Sequence, residues 1–188
     1  VVTDDVTLTA SFAVNEYTVE VNAEGNGSVS GSGTYAYGTT VTLTATPQTG
    51  YHFVEWSDGN TDNPRSIVVT DDVTLTASFA VNEYTVHVDA DDHGTVTGSG
   101  KYAYGTTVTL TATPQTGYHF VQWSDGNTDN PRSIVVTDDV TLTASFAVNE
   151  YIVQLNADGN GVAVGSGTYK HGETVIIGAI PNEHYHFD

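Results

Sequence analysis

An internal repeat of 67 residues constrains this chain more than any other feature. Residues 17–83 recur as residues 84–150 with 58 of the 67 positions unchanged, and a third copy begins at Tyr151. Self-similarity of this length and regularity predicts tandem copies of one structural unit. We therefore expect the same fold in each copy, and a function that depends on reach, copy number or avidity more than on one catalytic pocket.

The first residue of the chain does not coincide with the first residue of a repeat. Residues 1–16 have the same sequence as residues 68–83, which end the first complete copy. We predict four segments from this phase, and we expect them to form a piece of a longer array. They are the C-terminal strand of a preceding repeat (1–16), module 1 (17–83), module 2 (84–150), and a partial, divergent module 3 (151–188).

The residues of each module are typical of an all-β fold. Thr, Val, Gly and Tyr are abundant, and apolar residues alternate with polar ones along residues 39–46 and 73–81. Such alternation is typical of strands, whereas no long segment has the 3.6-residue apolar period of a helix. We predict small antiparallel β modules with little or no helix, in which residues 25–27 form a hairpin turn. The six strands predicted for module 1 are residues 17–22, 28–37, 39–46, 51–57, 66–70 and 73–81.

The chain is strongly acidic, and this argues against two classes of partner. It has 23 acidic residues and four basic ones, which gives a formal net charge of −19. Such a charge repels the phosphates of nucleic acids and of anionic lipids. No stretch of about 20 apolar residues is present to span a bilayer. We therefore expect neither nucleic-acid binding nor membrane insertion, and without Cys the chain has no disulfide or thiolate metal site.

Several residues that recur in order resemble a known repeat family. They are Tyr37-Gly38, Pro47, the run Gly50-Tyr51-x-Phe53-x-x-Trp56 and a final strand with the pattern Val-Thr-Leu-Thr-Ala-x-Phe. This pattern resembles the divergent branch of the internalin-type B-repeat of bacterial surface proteins, within the Listeria–Bacteroides repeat superfamily. The resemblance implies a compact β module related to the β-grasp topology, present in tandem in large secreted or cell-surface proteins as a stalk or adhesive region. It implies no catalytic residues.

An Asp- and Asn-rich loop follows the Trp of each complete module. In module 1 its oxygen-bearing side chains lie at alternate positions, as they do in calcium loops. An EF-type loop also needs a Gly at its sixth position and a Glu at its twelfth, and both are absent here. The alternative is a turn whose side chains bond their own backbone, with Arg65 paired across the loop or stacked on Trp56. The weak calcium candidates are Asp58, Asn60, Asp62, Asp125, Asn127 and Asp129, and no other cofactor is expected.

The nine differences between the two complete copies indicate a second candidate site. Eight fall within residues 20–34 and one falls at Glu55. The first hairpin is therefore either an exposed tip that tolerates change or a face that contacts a partner. The expected partner of such a face is a protein or glycan of a host or neighbouring cell. Tyr35 and Tyr37 form either a further platform for sugar stacking or part of the core or edge-strand packing. The candidate partner-binding residues are Glu20, Glu24, Asn26, His87, Asp91 and His93.

No recurring set of side chains predicts catalysis. A nucleophile needs a base and an orienting acid, and no Ser or Thr has a coupled His in both copies. We predict a non-enzymatic structural or adhesive stalk at the surface of a bacterial cell or outside it, or alternatively a carbohydrate- or protein-binding module. Residues 1–14 also repeat the last strand, which residues 151–188 lack. Head-to-tail strand donation between molecules and truncation of a longer array both explain this.

Overall fold

The computed structural model describes all 188 residues, from Val1 to Asp188. It contains 18 β-strands and no helix, so the predicted all-β class is confirmed. The chain forms two compact units, Val1–Asn82 and Glu83–Asp188. Module 1 lies in the first unit, and modules 2 and 3 lie in the second.

Module 1 has seven strands in two small sheets. These strands are β1 (Glu16–Glu24), β2 (Gly27–Ser30), β3 (Gly33–Ala36), β4 (Thr40–Pro47), β5 (Tyr51–Trp56), β6 (Arg65–Val68) and β7 (Val73–Val81). One sheet has the order β3-β1-β7-β5 and the other has the order β2-β4-β6. Apolar side chains of both sheets meet in one core, where Val19 and Val21 of β1 cluster with Leu43 of β4. The module is therefore a two-layer β sandwich.

The core of module 1 follows from the alternation in its sequence. Along β4, the side chains of Val41, Leu43 and Ala45 are buried, while the intervening Thr residues are more exposed. Trp56, at the end of β5, is the largest fully buried side chain, with 0% of its surface exposed. No polar or charged residue is buried. Apolar packing between the two sheets is therefore the main source of stability.

The pairing of β1 with β7 is parallel, where we expected only antiparallel neighbours. Val19 lies opposite Val73, and the register continues to Glu24 opposite Ser78. Parallel neighbours need a long connection between them, and here strands β2 to β6 supply it. Because β3 pairs only with residues 16–19 of β1, the second half of β1 has β7 as its one partner in the sheet.

The segment 28–37, predicted as one strand, is two strands that belong to different sheets. It breaks at Gly31, where φ is +119° and an added Cβ would lie 2.6 Å from Leu43 Cδ2. Only Gly suits a backbone of this conformation so close to the core. The predicted hairpin at residues 25–27 is also wrong, because β1 pairs with β3 and β2 pairs with β4. This turn is a corner between the two sheets, and we call residues 20–34 and 87–101 the corner segments.

Module 2 repeats this arrangement in the second unit. Its strands are β8 (Glu83–Ala90), β9 (Gly94–Thr97), β10 (Gly100–Ala103), β11 (Thr107–Pro114), β12 (Tyr118–Trp123), β13 (Arg132–Val135) and β14 (Val140–Val148). They form sheets of order β10-β8-β14-β12 and β13-β11-β9. Trp123 is again fully buried, so the same sequence pattern produces the same sandwich twice.

Module 3 has only part of this arrangement. Its strands are β15 (Glu150–Val153), β16 (Gly161–Val164), β17 (Gly167–Lys170) and β18 (Gly178–Pro181), with β15 paired to β17 and β16 to β18. None of residues 151–188 is buried. The strand that corresponds to β1 has four residues instead of nine. Its missing half is the half that β7 pairs with in module 1, so the parallel neighbour keeps this part of the chain extended.

Residues 1–15 form no strand, although they repeat the sequence of β7 and its flanks. The expected C-terminal strand of a preceding repeat is therefore not a strand in this structure. In module 1 the same sequence is a strand because β1 and β5 pair with it on both sides. Residues 1–15 have no such neighbours. Leu8 is 90% exposed, whereas the equivalent Leu75 is 6% exposed, and Phe12 is 93% exposed.

Candidate interaction surfaces

The Asp-rich loop of module 1 connects β5 to β6 and is held by hydrogen bonds within itself. Asp58 Oδ1 accepts a hydrogen bond from the N–H of Asn60 (3.2 Å), and Asn60 Oδ1 accepts one from the N–H of Asp62 (2.9 Å). Asp and Asn side chains that accept a hydrogen bond from the backbone N–H two residues later are typical of Asx turns. The alternative of a turn whose side chains bond their own backbone is therefore present. In module 2 the equivalent bonds join Asp125, Asn127 and Asp129.

Arg65 forms a bidentate ion pair with Asp58. Its Nη1 and Nη2 atoms lie 2.7 and 2.6 Å from Oδ1 and Oδ2 of the carboxylate. The hydrogen bonds from Arg65 lower the pKa of Asp58 below its ordinary value of 3.8, although burial opposes them. The predicted pairing across the loop is thus present, and Arg132 with Asp125 repeats it.

Two of the three calcium candidates in module 1 already have side chains that are bonded to other groups of the chain. Asp58 is bonded to Arg65, and Asn60 is bonded within its own turn. No group of three His, Asp or Glu side chains converges on one position in the chain. A calcium ion takes about six to eight oxygen ligands, so binding at this loop requires the ion pair to open. Calcium binding at Asp58 or at Asp125 stays a prediction.

Replacement of Arg65 by Gln is expected to lower the stability of the first unit by about 0.5 kcal/mol at neutral pH, because the pair is partly exposed and screened. A carboxylate whose pKa is lowered on folding stabilises the fold above its unfolded pKa, and this contribution is lost as the pH falls through the folded pKa. The difference between wild type and Arg65→Gln should therefore hold at neutral pH and disappear only as the pH falls below 3.8 and through the folded pKa of Asp58.

Denaturant unfolding at a series of pH values measures this difference. Lys101→Gln is the control for the loss of one positive charge from the chain, because Lys101 lies in the second unit, 4.0 Å from the carboxylate of Glu83, and should leave the first unit unchanged. A stability difference for Arg65→Gln that persists in strong acid contradicts the assignment to the Asp58 carboxylate.

Asn63, near the end of the loop, completes the hydrogen bonding of β4. Its Oδ1 accepts a hydrogen bond from the N–H of Ala45 (2.9 Å), and its Nδ2 donates one to the C=O of Ala45 (2.7 Å). The pairing of β4 with β6 stops at Leu43. Beyond that point, the Asn63 side chain takes the place of the next residue of β6 as the partner of β4. Trp56 Nε1 donates to the C=O of Asp62 (3.0 Å) and fixes the loop over the core. Sequence analysis missed this role, because an Asn before a Pro indicates only a turn.

The corner segment of module 1 is exposed at every position that differs between the copies. Glu20 lies on the outer face of β1, Glu24 lies at the end of that strand, and Asn26 lies in the turn. In module 2, His87 replaces Glu20 and pairs with Asp89 at 2.8 Å. The outer faces of β1 and β8 therefore present different charges on the same backbone.

The turn of the second corner segment makes contacts within its own module. Asp91 Oδ2 accepts a hydrogen bond from the N–H of Phe146 (2.8 Å), and His93 stacks on Tyr118 with 4.3 Å between ring centroids. Burial raises the pKa of Asp91, but the hydrogen bonds from the N–H groups of Phe146 and His93 outweigh it, so the pKa is lowered. Asp91 and His93 thus support the fold here, and the exposed candidate in module 2 is His87.

Tyr35 and Tyr37, considered as a sugar platform, have different environments. Tyr35 is half-buried against the core, and its hydroxyl donates a hydrogen bond to the C=O of Gly31 (3.1 Å). Tyr37 is 58% exposed, and its ring is tilted against that of Tyr17 with centroids 6.4 Å apart. The exposed aromatic surface is therefore formed by Tyr37 with Tyr17, and Tyr35 belongs to the packing of the module.

The junction of modules 2 and 3, within the second unit, is built around Asn149. Its N–H donates to the C=O of Gly117 (2.8 Å), and its C=O accepts from the N–H of His171 (2.8 Å). Its Oδ1 lies 2.8 Å from Nδ1 of His119. The ring of His171 covers Gly117, so that an added Cβ would overlap the ring. One Asn therefore ties both modules together through its backbone and its side chain, and no periodic pattern in the sequence indicates such a contact.

Each complete module has two layers with a central pair of parallel strands. The two complete modules share one core sequence and differ in their corner segments. These features define a tandem repeat protein built of small β domains. The chain belongs to the divergent InlB B-repeat family, whose sequence profile matches residues 17–83, 84–150 and 151–188. The family indicated by the aromatic, Gly and Pro positions is thus confirmed.

Similar proteins include two bacterial sequences and one solved structure. A candidate membrane protein of Evansella cellulosilytica is 28% identical over 169 residues, covering 85% of this chain and 25% of that protein. Internalin H of Listeria monocytogenes is 31% identical over 118 residues, covering 57% of this chain and 21% of that protein. The Bacillus anthracis TIE protein superposes with a TM-score of 0.41 at 12% identity, covering 89% of this chain and 44% of that one.

The chain spans about a quarter or less of the length of the two sequence relatives. It has no helix that could cross a membrane.

Proposed function

We propose that this chain is a structural segment of a bacterial cell-surface protein, in which tandem β modules act as a stalk or spacer. The observation that carries the proposal is the position of the differences between the copies. All nine lie at exposed positions of module 1, and the core sequence of the two modules is identical. Repetition of one unchanged core adds length without adding a new site. The names of internalin H and of the candidate membrane protein support a location at the cell surface.

A spacer contributes distance and no affinity. To test this role, zero, one or two complete modules of the chain are inserted between a surface anchor and a reporter binding domain displayed on bacteria. We expect the capture of a large ligand by the reporter to rise with each module added, and module 1 and module 2 to be interchangeable. Equal capture with zero, one and two modules contradicts the spacer role.

A second candidate function is the binding of a glycan or protein through the corner segments. It is favoured by the change of charge at one exposed position, from Glu20 in module 1 to His87 in module 2, on strands of the same sequence pattern. The purified chain on a glycan array distinguishes the two functions. A pure spacer is retained on no glycan, whereas saturable binding that is lost in a His87→Glu variant favours the second function.

A further inference from the structure

We propose that each complete module resists tension along the chain, because a pull on its two ends loads its central parallel pair of strands in shear. This pair is β1 with β7 in module 1 and β8 with β14 in module 2. The inference deepens the spacer role and rests on it for the source of the tension, since a stalk that holds a ligand is pulled along its length. The resistance itself follows from the topology of the module.

The directions of the two terminal strands determine how a pull reaches the module. The chain enters module 1 at the start of β1 (Glu16–Glu24) and leaves it at the end of β7 (Val73–Val81). Because these strands are parallel neighbours, the entry and the exit lie at opposite ends of the pair. A pull on both ends therefore slides the strands past each other, and their evenly spaced hydrogen bonds carry the force together. Bonds pulled apart from one end would break one at a time.

The parallel pair lies at the centre of its sheet, whose order is β3-β1-β7-β5. Its register joins six residues of each strand, from Val19 opposite Val73 to Glu24 opposite Ser78. Removal of either terminal strand from the module must break this register, because β1 and β7 are each other's neighbours. The side chains on the inner face of the pair are buried, namely those of Val19, Val21, Leu75 and Ala77. Since this side excludes water, the bonds of the pair are stronger than they would be in water.

An aspartate adds one more bond across each pair, at the end where the pair begins. Asp72, the residue before β7, accepts a hydrogen bond on Oδ1 from the N–H of Thr18 in β1 (2.7 Å). In module 2, Asp139 accepts the equivalent bond from the N–H of Thr85 (2.7 Å). A hydrogen bond to a carboxylate is roughly twice as strong as one between neutral groups. The turn before the last strand therefore adds to the resistance of the pair.

The connection between the two complete modules is short. β7 ends at Val81 and β8 begins at Glu83, so that Asn82 alone separates the two strands in the sequence. A long linker of Gly and Ser would first be pulled straight, because such linkers are flexible coils. Here the tension on one module passes through a single residue to the first strand of the next. Each module is therefore pulled through the ends of its own parallel pair.

Stretching of single molecules through cysteine handles tests the direction of the force, because the chain has no Cys of its own. Handles at Glu16→Cys and Glu83→Cys flank module 1 and pull β1 and β7 in opposite directions along the pair. Handles at Glu16→Cys and Thr74→Cys pull on the beginnings of both strands, so that their bonds break one at a time. All three positions are exposed. We expect the second pair of handles to unfold module 1 at about half the force or less. Equal forces in the two directions overturn the proposal.

Stretching of the full chain by its two ends tests the bond from Asp72. The wild type should show two events that each lengthen the chain by about 200 Å, one for each complete module. In the Asp72→Ala protein one of these events should become about fivefold faster at constant force, while module 2 provides the internal reference. Asp71→Ala is the matched control, because the side chain of Asp71 bonds only the N–H of Asp72 within the turn. Unchanged rates in Asp72→Ala, or equal acceleration by both substitutions, contradict the contribution of Asp72 to the pair.

These measurements use the purified chain without a surface or a ligand. A module that unfolds at equal force in both directions can still extend a reporter domain, so the spacer role would survive that result. Equal ligand capture with zero, one and two modules would in turn leave the measured shear resistance unchanged. Failure of either proposal is therefore seen independently of the other.

Discussion

Replacement of Trp56 by Ala is expected to destabilise the first unit by about 3–5 kcal/mol, the largest effect that we predict for any substitution in this chain. Trp56 is fully buried, and its ring packs against that of Phe53 with centroids 5.5 Å apart. Its Nε1 also holds the Asp-rich loop through the C=O of Asp62. The Ala variant therefore loses the largest core side chain and the anchor of the loop together.

Calorimetry and hydrogen exchange measure this loss. For a domain of this size the unfolding temperature of the first unit should fall by about 15 °C or more, while the second unit provides an internal reference. Peptides from β1 and β8 differ in sequence, so mass spectrometry can follow the two units separately. Val54→Ala is the matched control, because this residue lies on the same strand and is 41% exposed. Unchanged protection of β1 in the Trp56→Ala protein contradicts the central role of this side chain.

Replacement of Asn63 by Ala should cost about 2 kcal/mol, because both backbone groups of Ala45 lose their partner. Ala45 is 3% exposed, and Asn63 provides one acceptor and one donor to it. The loss is a disruption of the sheet, since the side chain stands where β6 would otherwise continue. Urea unfolding of the first unit measures the change.

Asn60→Ala is the control for this substitution. Asn60 belongs to the same loop, but its side chain bonds only the N–H of Asp62 in an exposed turn. We expect a loss of less than about 1 kcal/mol for this variant. Equal effects of the two substitutions would mean that the loop acts through its turn alone, and that Asn63 does not complete the sheet.

The parts of the fold that the sequence predicted are those with a simple alternation. Thr40–Pro47 alternates without interruption, and its buried and exposed positions are as expected. The break within residues 28–37 was not predicted, because it lies at Gly31, whose positive φ and close approach to Leu43 of another strand are not visible in the local sequence. The parallel pairing of β1 with β7 was not predicted either. Alternation predicts which face of a strand is buried, but it contains no information on which strand lies beside it or in which direction.

The candidate surfaces were also predicted only in part. Copy-to-copy comparison located the corner segments, because exposed positions change while the core sequence stays constant. It could not show that Asp91 accepts a hydrogen bond from the N–H of Phe146 in β14 or that His93 stacks on Tyr118, because both contacts join residues far apart in sequence. The hydrogen bonds between Asn63 and Ala45 were missed because this Asn is present in both copies and its local sequence resembles that of an ordinary turn.

The parallel pair at the centre of each sandwich also has a consequence for synthesis. The first strand of a module finds its partner only when the last strand has been made, and contacts of such long range are slow to form. A nascent module thus waits with an open strand edge, beside neighbours that carry the same closing sequence. In an array of near-identical copies, sequence alone does not distinguish the correct closing strand from a foreign one. We therefore expect the order in which strands emerge from the ribosome to influence which one each module receives.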